Sequence, residues 1–183
     1  ERYRLGQIGY LELQSSVRTA ADAERQALQA RYAFEQALIE LARAFPAMTA
    51  VGYDLSDTNL EGARQLADEA GVADRVRFAR HDVHDGLPER FDVVLTCDAV
   101  HDFRDPQAAC ERVHQALRDD GAYLLVEYRV GDRLEENLGP IGAVFYSLSV
   151  TYCMTTSLAM DGEGLGTCGL PERRVRELAE SAG

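Results

Sequence analysis

Short apolar runs and amphipathic stretches alternate along the middle of the chain. Apolar residues recur at helical spacing in Ala37–Phe45, whereas Thr49–Tyr53 is a compact apolar run typical of a buried parallel strand. Ser56 or Asp57 is a suitable N-cap for the next helix, and Gly71 is suited to its left-handed end. The further predicted elements are strands at Arg75–Ala79, Phe91–Thr96 and Ala122–Val126 and helices at Pro106–Leu117 and Pro171–Ser181.

This alternation predicts an α/β fold, a Rossmann-like open and mostly parallel sheet with helices on both faces, preceded by an N-terminal helical segment. In such sheets ligands bind beyond the carboxyl ends of the strands. The residues at these predicted strand ends are Asp54, Asp82, the run Cys97–His101 and Glu127. We therefore expect the functional residues to lie among them.

Two segments near the C-terminus have unusual composition. Asn137–Met160 contains no charged residue, but Pro140 and several serines and threonines interrupt it. A membrane span is more continuously apolar, so this segment is predicted to be a buried helix. The glycines of Asp161–Gly169 follow no predicted strand and lack a lysine, which indicates a flexible loop and not a phosphate-binding loop.

The charge of the chain narrows the choice of partners. Its 183 residues suit one domain, and they carry 31 acidic and 19 basic side chains, all of the latter arginine, for a net charge of −12. Binding to nucleic acid requires a basic patch that displaces counterions, so nucleic acid is not expected as a partner.

Cysteine and histidine positions argue against a metal site. The four cysteines form no CxxC pair, which predicts free thiols in a reducing compartment and no zinc site or disulfide framework. His81 and His84 lack further obvious ligands, so we expect no bound metal. No signal-peptide pattern opens the sequence, and we expect a cytoplasmic protein without membrane association.

Four motifs follow one another at the predicted strand ends. They are GYD at Gly52–Asp54, RHDVHD at Arg80–Asp85, FDVVLTCDAVHDFRDP at Phe91–Pro106 and LLVEY at Leu124–Tyr128. In this order and spacing, residues 37–183 resemble class I S-adenosylmethionine-dependent methyltransferases. HDFRDP and the run that begins VEYRVGD most closely resemble a bacterial subgroup with an N-terminal winged-helix domain. On this resemblance, residues 1–36 are the remnant of a helical or winged-helix region and residues 37–183 are the methyltransferase domain.

The resemblance implies S-adenosylmethionine as cofactor, S-adenosylhomocysteine as product and no metal. Asp54, with Leu55 beside it, would bind the ribose hydroxyls, since a carboxylate at a strand end accepts two hydrogen bonds from a vicinal diol. Asp82 would accept from the adenine amino group and Val83 would pack on the ring. Cys97 would pack near the methionine portion. The alternatives are that Asp54 caps the following helix and that Asp82 is a solvated acid.

One expected motif is absent. The family carries a glycine-rich loop after its first strand, roughly 20 residues before the ribose-binding acid, yet no glycine occurs between Gly9 and Gly52. The two strands that usually follow the position of Gly183 are also absent. Two explanations stay open: the sequence joins pieces of a longer chain near Gln36 and Ala37, or the loop is deleted and cofactor binding is lost.

His101 and Glu127 are the candidate catalytic residues. His101 follows the strand predicted at Phe91–Thr96, and an imidazole suits the removal of a proton from a hydroxyl acceptor. Glu127 ends the next strand and would contact substrate or position His101. Alternatively, His101 packs against the sheet, and Glu127 pairs with Arg129 or Arg133. Cys97 is not expected to act as a nucleophile, because the neighbouring Asp98 would raise its pKa.

The acceptor would be a small molecule. Asp98, Phe145 and Tyr146 are candidate substrate-binding residues, the two rings forming an aromatic wall unless they serve core packing or a dimer contact. The favoured function is methyl transfer from S-adenosylmethionine to a hydroxyl oxygen by in-line displacement. The alternative is a non-catalytic metabolite-binding protein or transcriptional regulator on the same fold. The resemblance also implies a homodimer.

Overall fold

The computed structural model describes Gln14, Ser15, Arg18 and residues 36–183. Apart from these first three residues and Gln36, the predicted N-terminal region of residues 1–36 lies outside the described part. Most of the predicted N-terminal helical segment therefore also lies outside the described residues.

The first half of the described chain is a parallel strand pair with its connecting helix. Helix α1 covers residues 36–44, strand β1 Ala50–Asp54, helix α2 Asp57–Glu69 and strand β2 Val76–Arg80. β1 and β2 run parallel, in register from Ala50 with Val76 to Asp54 with Arg80. Ser56 is the N-cap of α2, since its hydroxyl accepts from the backbone N–H of Asn59, and Gly71 has φ of +68°. The predicted elements are therefore confirmed here to within a residue or two.

A small core fixes this half. It is formed by α1, α2 and the strand pair, through Ile39, Ala42, Leu60, Ala63, Ala67, Val72, Val76 and Phe78. A Cβ atom added at Gly52 would lie 2.6 Å from Cδ1 of Phe78, which is closer than carbon atoms can approach. Glycine is thus required where β1 passes the ring.

The second half repeats the pattern with β3 (Phe91–Cys97), α3 (Pro106–Ala116) and β4 (Leu117–Val126). β3 and β4 are parallel, with a register shift between Phe91 and Val93. Asp105 caps α3 by accepting from the N–H of Ala108 at 2.8 Å. β4 begins five residues before the predicted strand Ala122–Val126, because Leu117 already pairs with Phe91; the register shift takes up the residues between Leu117 and Ala122.

Within residues 36–183 the hydrogen bonds join the strands as two parallel pairs, β1–β2 and β3–β4. The helices pack on one face of the β3–β4 pair, where Tyr123 and Leu125 contact a core of Val100, Cys110, Leu170 and Leu178. On the other face Leu124 and Val126 are each 51% exposed. The parallel α/β arrangement is as predicted, with one face of this pair uncovered in the described part of the chain.

The C-terminal part is helical. It comprises α4 (Pro140–Leu148), a π-helical turn (Ser149–Cys153), α5 (Met154–Leu158) and α6 (Glu172–Ala182), with short 3-10 turns at Leu134–Asn137 and Thr167–Gly169. α6 packs on α3 and inserts the fully buried Leu178.

The helix predicted to be buried is largely exposed. Pro140–Leu158 is the one helix in the described residues that is long and apolar enough to cross a membrane by length and composition, and only 17% of its most apolar stretch is buried. Ile141 is 71% exposed and Val150 59%. The prediction of burial is wrong because no element among residues 36–183 packs over the outer side of this helix.

Candidate active site

The predicted functional residues stand at the ends of their strands. Asp54 ends β1, and its carbonyl accepts from the N–H of His81 just after β2. Asp98 follows β3 and donates its N–H to the carbonyl of Val126 at the end of β4, next to Glu127. Each parallel pair thus brings its own strand-end acids together, as the sheet geometry predicts.

The Asp54 carboxylate organises the turn that enters α2. Its Oδ1 accepts from the N–H of Ser56 at 2.7 Å and its Oδ2 from Nδ2 of Asn59 at 3.1 Å. Each carboxylate oxygen has two lone pairs and can accept more than one hydrogen bond, as binding to a diol requires. Leu55 follows it with its side chain 42% exposed.

Asp82 is a fixed, ionised acceptor. Its Oδ1 accepts from the N–H of His84 at 2.9 Å and contacts Nδ1 of the same residue at 2.7 Å, while Oδ2 lies 3.4 Å from the guanidinium of Arg104. Burial alone would raise the pKa of Asp82, but these hydrogen bonds and charges outweigh it and lower the pKa. Val83 begins the 3-10 turn that Asp82 caps.

His81 and His84 bind different partners. The ring of His81 contacts the carbonyl of Gly86 and packs on Tyr53, with centroids 5.2 Å apart, whereas His84 pairs with Asp82. Among the described residues these two histidines do not share a group of metal-ligating atoms.

His101 and Glu127 form a buried pair. Nδ1 of His101 lies 2.6 Å from Oε2 of Glu127, and the two side chains are 3% and 6% exposed. The other oxygen, Oε1, accepts from the backbone N–H groups of Ala99 at 3.2 Å and Val100 at 2.7 Å. Glu127 therefore stabilises the 3-10 turn Val100–Asp102 and orients the imidazole. It pairs with His101 and not with Arg129 or Arg133, the alternative partners that the sequence offered.

Three carboxylates surround the imidazole. Besides Glu127, Asp98 lies 3.7 Å from Nδ1 and Asp102 lies 3.4 Å from Nε2. Burial would lower the pKa of His101, but hydrogen bonds to Cys153 and Glu127 and the charges of Glu127 and Asp102 raise it to about 11. These contacts therefore favour the imidazolium form of His101.

Asp98 links His101 to an aromatic pair. Its φ of +51° places a non-glycine residue in the left-handed region, a strain that occurs preferentially at functional sites. Burial raises the pKa of Asp98, and the nearby Glu127 and Asp102 act in the same direction; its side chain also bonds Tyr128. Tyr128 in turn stacks on Phe145 of α4 with centroids 4.8 Å apart.

The remaining predicted residues lie farther from this cluster of contacts. Tyr146 is half-buried on α4, next to Phe145. Cys97 ends β3, and burial followed by the charges of Asp98 and Glu127 raises the pKa of its thiol. This direction confirms the argument against a nucleophilic thiolate.

Sequence reasoning missed two residues that contact His101. Thr167 Oγ1 lies 3.5 Å from Nε2 of His101 and 3.3 Å from Sγ of Cys153, and both residues are buried. The sequence signal was the glycine-rich segment Asp161–Gly169, interpreted as a flexible loop. That interpretation is wrong: the segment is attached to the turn that carries His101.

Backbone hydrogen bonds attach this loop. Gly166 donates to the carbonyl of His101 at 3.2 Å and Glu163 to the carbonyl of Arg104 at 2.9 Å, while the Ser157 hydroxyl donates to the carbonyl of Phe103 at 3.0 Å. An added Cβ at Gly166 would lie 2.0 Å from the Ser149 hydroxyl, so the glycine permits close packing. The loop therefore forms one wall of the site.

The parallel α/β fold, the acid at each strand end and the buried His101–Glu127 pair agree with one class of protein. Residues 33–123 match the profile of a family described as a methyltransferase domain. Over this stretch, about half of its length, the chain therefore matches a methyltransferase domain, and its fold is that of solved methyltransferases.

Three known proteins are similar to this chain. The uncharacterized methyltransferase YcgJ of Bacillus subtilis (strain 168) is 33% identical over 81 residues, which cover 43% of this chain and 31% of that protein. An O-methyltransferase family 2 protein from Planctomyces limnophilus, solved with apigenin, has a TM-score of 0.60 at 21% identity, covering 79% of this chain and 40% of its own. NcsB1 from neocarzinostatin biosynthesis was solved with S-adenosyl-L-homocysteine and 1,4-dihydroxy-2-naphthoic acid. It has a TM-score of 0.59 at 20% identity, and the match covers 80% of this chain and 39% of NcsB1.

At these identities the solved structures show a common fold. The chain spans between 31% and 40% of the length of these three relatives.

Proposed function

We propose that the protein transfers a methyl group from S-adenosylmethionine to a hydroxyl oxygen of a small molecule, with His101 as general base. The observation that carries this proposal is the 2.6 Å pair of His101 and Glu127 directly beyond β3. A carboxylate that binds Nδ1 fixes the tautomer in which Nε2 has the free lone pair.

The carboxylates at the ends of β1 and β2 fit the adenosine half of the cofactor. Asp54 and Asp82 supply the acceptors that a ribose diol and an adenine amino group require, and the lowered pKa of Asp82 maintains it as an acceptor. We assign Leu55 and Val83 to the same half, and Cys97 to packing at the methionine half. The sequence offers no glycine-rich loop for the methionine half between Gly9 and Gly52. Residues 37–183 are accordingly the proposed methyltransferase domain.

When bound, S-adenosylmethionine supplies an electrophilic methyl group on a positively charged sulfur. His101 removes the acceptor's proton only in its neutral form, and the three carboxylates around it favour the charged form. A positive charge bound at the same sheet edge would disfavour the imidazolium and so would lower the pKa of His101. Glu127 keeps the ring oriented in both states.

The acceptor is proposed to be a small aromatic or apolar hydroxyl compound. Phe145 and Tyr128 provide stacked rings next to Asp98, and Tyr146 extends the same helix. Such a wall is suited to a flat acceptor, with Asp98 near its polar end. Two fold neighbours bind apigenin and 1,4-dihydroxy-2-naphthoic acid, both compounds of this kind.

The cellular setting of the protein is also a proposal. The net charge of −12 favours a cytoplasmic enzyme that does not bind nucleic acid or a membrane. The exposed apolar side of Pro140–Leu158, including Ile141 and Val150, favours a homodimer.

Asp54 gives a direct test of the cofactor site. Asp54→Ala is expected to weaken the binding of S-adenosylhomocysteine about 5- to 150-fold, or about 1–3 kcal/mol, because the ribose hydroxyls lose their acceptors. Titration calorimetry measures this change. The matched control is Asp57→Ala, which removes an exposed acid three residues away that pairs with Arg80. If the two variants bind S-adenosylhomocysteine with equal affinity, Asp54 does not belong to the cofactor site.

The missing glycine loop favours a second candidate function, a non-catalytic metabolite-binding protein. Calorimetric titration of the protein with S-adenosylhomocysteine separates the two. Micromolar binding, about −8 kcal/mol, is expected for the enzyme, whereas no detectable heat and no thermal stabilisation would favour the second candidate.

A further inference from the structure

Nε2 of His101 is enclosed by side chains with opposite hydrogen-bonding abilities. On one side, Asp102 Oδ1 lies at 3.4 Å, and on the other, Thr167 Oγ1 lies at 3.5 Å. An ionised carboxylate only accepts hydrogen bonds, whereas a hydroxyl both accepts and donates. Asp102 therefore favours the imidazolium, while Thr167 is able to donate to the lone pair of the neutral ring.

Cys153 completes this arrangement. Its sulfur lies 3.3 Å from the Thr167 hydroxyl, and Cys153 and Thr167 are only 6% and 4% exposed. Either group can donate in this contact, and when the thiol donates to the hydroxyl, the hydroxyl proton is free to donate to Nε2. Water has little access to replace either partner.

We propose that Thr167, oriented by Cys153, is a positioning residue that stabilises the neutral imidazole of His101 in the resting site by donating to Nε2, and that the acceptor hydroxyl takes the place of the Thr167 hydroxyl at Nε2 when it binds. The proposal rests on the assignment of His101 as general base. It assigns a role to a loop that is separated from the His101 turn by more than 50 residues and is anchored to it through Gly166 and Glu163.

The other groups that face His101 act in the opposite sense. They are Glu127 after β4, Asp98 and Asp102 in the turn after β3, and Cys153 in the π-helical turn. The three carboxylates favour the proton on the ring, and a hydrogen bond to the Cys153 sulfur does so as well. Among the described residues, the Thr167 hydroxyl is thus the neutral donor placed to oppose them.

The test compares Thr167→Val, which preserves shape and removes the hydroxyl, with Thr167→Ser, which restores it. NMR titration of protein with isotope-labelled histidine follows His101 directly, and its signal is assigned by its loss in His101→Asn. Thr167→Val is expected to move the His101 midpoint upward by about half to one pH unit, and Thr167→Ser to leave it at the wild-type value.

The same comparison is repeated in the variant Asp102→Asn, in which His101 titrates at a lower pH that is easier to reach. Asp102→Asn removes the carboxylate that faces Nε2 and is expected to lower the midpoint; adding Thr167→Val to this variant should raise it again. Unchanged midpoints on adding Thr167→Val in both backgrounds would overturn the proposal.

The pH dependence of methyl transfer separates this inference from the proposed function. With 1,4-dihydroxy-2-naphthoic acid as the probe acceptor, the pH profile of the rate should shift together with the NMR midpoint. If the rate falls in His101→Asn while the His101 midpoint stays unchanged in Thr167→Val, this combination of results contradicts the role of Thr167. An NMR shift with a rate indifferent to His101→Asn contradicts the general base and leaves the positioning by Thr167 established.

Discussion

Replacing His101 with asparagine is expected to lower the rate of methyl transfer about 10²- to 10⁴-fold, the usual contribution of a general base. The asparagine amide can still donate to Glu127, so the turn Val100–Asp102 keeps its main hydrogen bond while the base is removed. The measurement is the transfer of labelled methyl from S-adenosylmethionine to a screened phenol acceptor, with cofactor binding followed separately by calorimetry.

The matched control for this prediction is His114→Asn, since His114 is exposed on α3 and outside the site. It should leave the rate unchanged. If His101→Asn retains both the wild-type rate and its pH profile, the assignment of the base is wrong.

Replacing Glu127 with glutamine is expected to reduce the free energy of unfolding by about 1–3 kcal/mol, because hydrogen bonds to a buried charge are lost. The effect should depend on pH. Folding raises the pKa of His101 from its ordinary value of 6.5 to about 11, so the ion pair contributes fully below the unfolded pKa and less as pH rises toward the folded one. The stability difference should therefore be largest near about pH 6 and smaller near about pH 10.

Denaturant unfolding at the two pH values measures this difference. Glu111→Gln serves as control, because Glu111 is exposed on α3 and its carboxylate accepts a hydrogen bond from Gln107 of the same helix. A difference that stays constant between the two pH values would show that Glu127 acts through shape alone and not through the charge of His101.

Most of the fold could be predicted because each element has a local signal. The period of the apolar residues located β1, α2 and β3, and Ser56 and Gly71 marked the helix ends. The early start of β4 at Leu117 was not predicted, because strand pairing is decided by a partner distant in sequence. The burial of Pro140–Leu158 failed because apolar composition indicates which surface can be buried, not whether another element covers it.

The strand-end half of the candidate site was also accessible from the sequence. Sheet geometry places the residues after parallel strands at one edge, which was enough to select Asp54, His101 and Glu127. The contact of Thr167 with His101 crosses 66 positions and depends on how a loop packs on a turn. No periodic pattern encodes such a contact, so Thr167 and Cys153 became evident only in the folded chain.

The attachment of loop Asp161–Gly169 to the turn of His101 sets the order in which the site is completed during synthesis. His101 leaves the ribosome dozens of residues before Gly166 and Thr167, whose contacts enclose it. A nascent chain that has reached α3 already has β3 and the imidazole, but it lacks both β4 with Glu127 and the wall that excludes water. The acid–base chemistry of this domain is therefore acquired late, as a property of the finished chain and not of its parallel strands alone.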